Sequence, residues 1–109
     1  MKPASLTRSV DFRRVHSEGR RARRNGVGVL VYPRGDQAPA RVGYAIRSSA
    51  GSAVTRNRIK RRLRAALGRV DLRPGVDVVI SGTGEAAEVE FQILVEKVQS
   101  GLRAVGAAS

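Results

Sequence analysis

The chain has no cysteine and no tryptophan, one histidine, and only four residues among Phe and Tyr. Without thiols it can form neither disulfides nor thiolate metal sites, which fits a reducing compartment. One histidine and nine scattered acids give a protein-based nuclease no His pair, no carboxylate cluster and no activated nucleophile. Gly26-Val27-Gly28 and Gly82-Thr83-Gly84 lack the rest of a nucleotide-binding fingerprint. No apolar run approaches the roughly 20 residues that span a bilayer. The first residues lack the apolar core of a secretory signal. The expectation is a cytoplasmic protein with no membrane contact and no evident protein partner. At 109 residues the chain suits one domain, 1–109, with an ordered core of about 5–104 and a tail from Val105 that frays.

Acids are scarce where cations are dense. Lys and Arg number 21 against 9 Asp and Glu, for a net charge of +12, and 18 of the 21 are arginine. Arginine offers a planar fork of donors that matches phosphate and stacks on bases. Residues 1–75 hold 19 cations and 4 acids, whereas residues 76–109 hold 2 cations and 5 acids. A polyanion gripped by the first two-thirds is the natural inference.

Residues 7–18 read as a short helix that Ser9 can cap and Gly19 ends, with Val10, Phe12, Val15 and His16 on a partly apolar face. Residues 20–25 are a basic connector or a short edge strand. Residues 26–32 and 40–47 read as strands, joined as a hairpin across the turn residues Pro33 to Asp36. Residues 53–68 give the clearest helix, with Ile59, Leu63, Ala66 and Leu67 on one stripe. Residues 76–81 form another strand. Residues 85–104 read as one last helix, with Val89, Ile93, Val98 and Leu102 turned inward. The order α-β-β-α-β-α, with one possible extra strand, predicts an α+β fold built as a two-layer α-β sandwich.

Arg56-Asn57-Arg58-Ile59-Lys60-Arg61-Arg62-Leu63-Arg64 places six cations in nine residues with no acid. These charges repel one another on a helix, and an anionic partner relieves the repulsion. A solvated helix face normally interleaves acids. Phosphate near the start of this helix meets guanidinium forks and free backbone N–H groups together. Arg13, Arg14, Arg20, Arg21, Arg23 and Arg24 form a second basic cluster, and Phe12, Tyr32 and Tyr44 lie near basic stretches. Single-stranded RNA is held by stacking on aromatic rings beside a basic groove. For each ring, core packing is the competing reading.

Thr55 to Arg64 resembles the signature helix of the bacterial ribonuclease P protein component family. Gly51-Ser52-Ala53-Val54 resembles the lead-in to that helix, Leu6, Arg8 and Ser9-Val10-Asp11-Phe12 its N-terminal motif, and Pro74 to Ile80 its last strand. The resemblance covers roughly residues 5–105. It implies an α-β sandwich with a left-handed β-α-β crossover. It further implies a catalytic RNA that cleaves the 5′ leader from precursor tRNA with divalent cations, magnesium held mainly by the RNA, and no organic cofactor. On that resemblance Arg56, Asn57, Arg58, Lys60, Arg61, Arg62 and Arg64 face the catalytic RNA and Phe12 receives the leader; His16 one turn on, Tyr32 at the end of a strand that can run beneath the first helix, and Arg47 are expected in the same groove. Two positions depart from the family pattern. Ile46-Arg47-Ser48-Ser49 replaces a usual lysine pair, and His16 stands where a second aromatic is common. A structural RNA-binding protein of ribosomal or assembly type shares the composition and stays open as an alternative. A DNA-binding regulator would want a helix-turn-helix or a dimer interface, and neither is evident.

Overall fold

The computed structural model describes residues 3–109. A five-stranded sheet runs in the order β1-β4-β5-β3-β2, built from β1 (Ala4–Ser5), β2 (Arg20–Arg24), β3 (Val27–Pro33), β4 (Arg41–Ala45) and β5 (Val76–Gly82). Helices α2 (Ala53–Leu67), α3 (Glu85–Glu88) and α4 (Phe91–Ala104) cover one face, and α1 (Ser9–Glu18) lies on the other. The α+β sandwich is as expected. Its element order holds, with the extra strand found as β2, a two-residue β1 added, and the last helix divided.

Strand alternation sorts the residues by face. Val27, Val29, Val31, Val42, Val76, Val78 and Ile80 point into the main core. There they meet Ile59, Leu63, Ala66 and Leu67, the predicted stripe of α2, all buried. Each buried Val, Leu or Ile side chain here contributes about 1.5–3 kcal/mol. Ser52 caps α2, its side chain accepting from the Thr55 backbone N–H at 3.2 Å. Helix α1 instead begins after Arg8 with no side-chain cap, so the cap expected from Ser9 is not made. On this face Leu6, Val15 and Val79 form a smaller core, with Phe12, Leu30, Tyr32 and Ala45 packed against it.

The hairpin is not the expected one. β3 and β4 are separated by β5, which pairs antiparallel with β3 and parallel with β4. The hairpin joins β2 to β3 across Asn25-Gly26, where Gly26 takes a φ of 83°. Asn-Gly is a strong hairpin signal, masked here because Arg-Arg-Ala-Arg-Arg reads as readily as a basic connector as it does as an edge strand. The expected helix over 85–104 breaks at Val89, which is extended. Glu90 restarts it by accepting from the N–H groups of Gln92 and Ile93. Inward positions of α4 are Leu94, Val95, Val98 and Leu102, whereas Ile93 is exposed. The tail does not fray through its length. Val105, Ala107 and Ala108 are buried, and the Arg73 N–H donates to the Ala107 carbonyl at 2.9 Å.

Candidate nucleic-acid interface

The cations of α2 divide by helical position. Asn57, Lys60, Arg61 and Arg64 share one outer face with Val54, because residues three and four apart lie side by side. Arg58 is also exposed. Among the described residues no cation of α2 pairs with a carboxylate, so the positive face is uncompensated. Val54 is 78% exposed among these charges. Arg64 lies over the Tyr44 ring, 5.5 Å from its centroid, and burial pushes the Tyr44 phenol above its ordinary value, partly offset by Arg64.

Two expected members of this face are turned elsewhere. The guanidinium of Arg62 donates to the Ala86 carbonyl at 2.8 Å and to the Val89 carbonyl. These carbonyls are left free where α3 ends, and the half-buried Arg62 ties α2 to that break. Arg56 curls back to the Gly51 carbonyl at 2.8 Å. Arg62→Ala is expected to cost about 1–3 kcal/mol of stability, since two carbonyls lose a charged donor. RNA binding should keep its salt slope, which thermal melting beside a salt titration checks.

Sheet register builds the second feature. On the α1 face the strands align in three rows. The first is Tyr32, Asp77, Arg41. The second is Arg21, Leu30, Val79, Gly43. The third is Arg23, Gly28, Ser81, Ala45. Helix α1 covers the first two rows, with Phe12 over Gly43, where an added Cβ would lie 2.3 Å from the ring. The third row is floored by small residues and stays open. The result is a groove of about 360 Å³ edged by His16, Arg21, Arg23 and Arg47. It ends at Ser49, Ala50 and Gly84, just before α2. The Nδ1 atom of His16 lies 3.0 Å from the Phe12 carbonyl. A carbonyl only accepts, so Nδ1 carries the proton and Nε2 is left for a ligand.

The chemistry on offer is therefore a strip of unpaired guanidinium and ammonium groups on α2 and a narrow groove walled by arginine. Both suit a phosphate backbone, and a groove of this kind suits an unpaired strand. The family model described as Ribonuclease P matches residues 1–106.

The chain belongs to the ribonuclease P protein family.

The ribonuclease P protein component of Gluconacetobacter diazotrophicus is 35% identical over 104 residues, covering 93% of this chain and 90% of the relative. That of Caldanaerobacter subterraneus is 34% identical over 104 residues, covering 94% and 89%. The Staphylococcus aureus RNase P protein structure shares the fold with a TM-score of 0.83 at 18% identity, covering 99% of this chain and 100% of that one. The Thermotoga maritima RNase P protein gives 0.76 at 24% identity, covering 93% and 94%.

Within this ribonuclease P family chain, the residues expected at the leader site are only partly brought together. His16 and Arg47 share the groove. Phe12 stands beside it, half-buried, its ring packed on Gly43. Tyr32 does not line the groove. It lies in the first row, under α1, with Arg14 stacked over its ring at 5.6 Å. Sequence reasoning noticed Arg21 and Arg23 as part of a basic cluster but did not place them in the site. The usable signal was period two. In Arg20–Arg24 the odd positions face the groove, while Ala22 packs on the main core and Arg24 donates to Ser100 on α4 at 2.8 Å.

Proposed function

We propose that this chain serves ribonuclease P as its RNA-holding protein subunit, assisting removal of the 5′ leader from precursor tRNA. The outer face of α2, Asn57, Arg58, Lys60, Arg61 and Arg64, grips the catalytic RNA. The groove beside α1, with His16, Arg21, Arg23 and Arg47, receives the unpaired leader, and Phe12 stands next to it without lining it. The single observation carrying this reading is the acid-free cationic face of α2 in a chain of this family. Cleavage itself is assigned to the RNA. Among the described residues no three His, Asp or Glu side chains come together. We assign the magnesium to the RNA as well.

Binding in the groove follows from charge and shape. Arg21, Arg23 and Arg47 meet the leader's phosphates, and the small floor of Gly28, Ser81 and Ala45 lets the strand approach the sheet. Backbone contacts read no sequence, so leader preference should be slight. The test is the double variant Arg21→Ala, Arg23→Ala in the reconstituted holoenzyme. Precursor tRNA should bind roughly tenfold or more weakly, and its salt slope should fall by about 0.7 per lost phosphate contact. Mature tRNA, which has no leader, should bind as before. Equal losses for both ligands would remove the leader from this groove.

A further inference from the structure

β1 covers only Arg41 and Val42 of β4. The last bond to it is the Leu6 N–H donating to the Val42 carbonyl at 2.9 Å. Among the described residues no strand pairs with β4 beyond Val42, and a recess of about 470 Å³ forms between this edge, the segment Pro3–Thr7 and α2. Phe12, Gly43, Tyr44, Lys60, Arg64 and Gly68 line it. This volume falls in the range of small-ligand pockets. The recess is separate from the leader groove and shares no lining residue with it.

We propose that this recess seats one unpaired nucleotide of the catalytic RNA, its base against the Phe12 and Tyr44 walls and its phosphate on Lys60 and Arg64. The inference rests on the assignment of α2 to the catalytic RNA and extends it to a defined site. Lys60 and Arg64 are four residues apart, so their side chains rise together from one face of the helix. Neither pairs with a carboxylate among the described residues. Aromatic surface beside a cation is how proteins hold a splayed base and its phosphate. The open strand edge adds backbone donors and acceptors within reach of a base edge. Continuity decides the source. Lys60 and Arg64 also belong to the outer face with Val54, Asn57 and Arg61, so RNA lying along α2 reaches the recess directly. The leader, in its groove, lies beyond α1.

The test blocks the recess without removing charge. Gly68 follows α2 with right-handed φ and ψ of −61° and −15°, so it accepts a side chain. The atoms nearest its added Cβ are the Ala65 and Arg64 carbonyl oxygens at 3.3 and 3.8 Å. Gly68→Leu should weaken binding of the catalytic RNA by about tenfold, the scale of one lost stacked base, with the salt slope and melting temperature unchanged. Should Gly68→Leu melt early, Tyr44→Leu provides the same reading by removing the ring. In the wild-type holoenzyme, ultraviolet crosslinking with mass spectrometry should join Phe12 or Tyr44 to a nucleotide of the catalytic RNA. Arg61→Ala is the control, expected to lower the salt slope by about one unit. If Arg61→Ala changes nothing, the assignment of α2 itself has failed. If Arg61→Ala behaves as expected but the recess variants bind normally, the recess proposal alone is overturned, and the open edge of β4 is left to a peptide strand. Crosslinks from Tyr44 to precursor tRNA alone would overturn it as well.

Discussion

Asp77→Ala is expected to lower the melting temperature by roughly 10–20 °C. Asp77 is 1% exposed in the middle of the sheet. Its Oδ1 accepts from Arg34 at 2.6 Å and from Arg41 at 2.8 Å, and its Oδ2 accepts from Arg41 at 2.7 Å. Arg41 also reaches Asp11 on α1 at 3.4 Å. Arg34 in turn holds Asp36 and the Ala38 and Pro39 carbonyls. Removing one partner of a buried pair leaves the other charge uncompensated, which costs about 3–5 kcal/mol. Arg41 is 31% exposed, and water relieves part of its charge, so the lower end applies. For a domain near this size about 3 kcal/mol corresponds to the stated drop. Arg34 holds the exposed Asp36 carboxyl below its ordinary value. A depressed carboxyl supports the fold at neutral pH, and that support is lost as pH falls through the acid range. Thermal melting of Asp77→Ala against wild type checks the claim, and a drop of only a few degrees would show that the Arg34–Asp77–Arg41 network contributes little to the fold.

The network also explains what could and could not be read from sequence. Helix α2 was legible because its evidence is local. The stripe Ile59, Leu63, Ala66 and Leu67 lies within one element, and all four are buried. The insertion of β5 between β3 and β4 was not legible, because β5 comes from more than 30 residues downstream and replaces the expected β3–β4 hairpin. Arg34 and Arg41 read as two more cations, and only the sheet register shows that they close on Asp77. The same limit applies at the site. Arg61 and Arg62 are adjacent and chemically identical. What separates them is the break at Val89, which frees carbonyls on one side of α2 only. Tyr32 ended a strand near basic residues, as expected of a groove aromatic, but its row lies under α1. Where the functional signal was charge on one helix, it survived folding. Where it depended on neighbours in space, it was redistributed.

The triple variant Lys60→Ala, Arg61→Ala, Arg64→Ala is expected to weaken binding of the catalytic RNA by about a thousandfold at moderate salt. Each charged contact contributes about 1.5 kcal/mol or a little more, which is about tenfold in affinity. The plot of log affinity against log salt should flatten by about two to three units, since each phosphate contact contributes 0.7–0.9. The fold should remain, because none of the three lies on the buried stripe, and alanine is the best helix former. Helix stability should rise slightly as like charges are removed. Circular dichroism with salt-dependent binding separates these effects. A variant that binds the RNA with an unchanged slope would place the RNA on another face.

Cleavage of precursor tRNA at low magnesium tests the central claim most directly, using the catalytic RNA alone, the protein alone, both together, and the RNA with the triple variant. The protein alone, freed of RNA, should cleave nothing. Wild-type protein should raise cleavage by the RNA well above its level alone, and the triple variant should not. Cleavage by RNA-free protein, or equal stimulation by the triple variant, would contradict an RNA-holding subunit that works through α2.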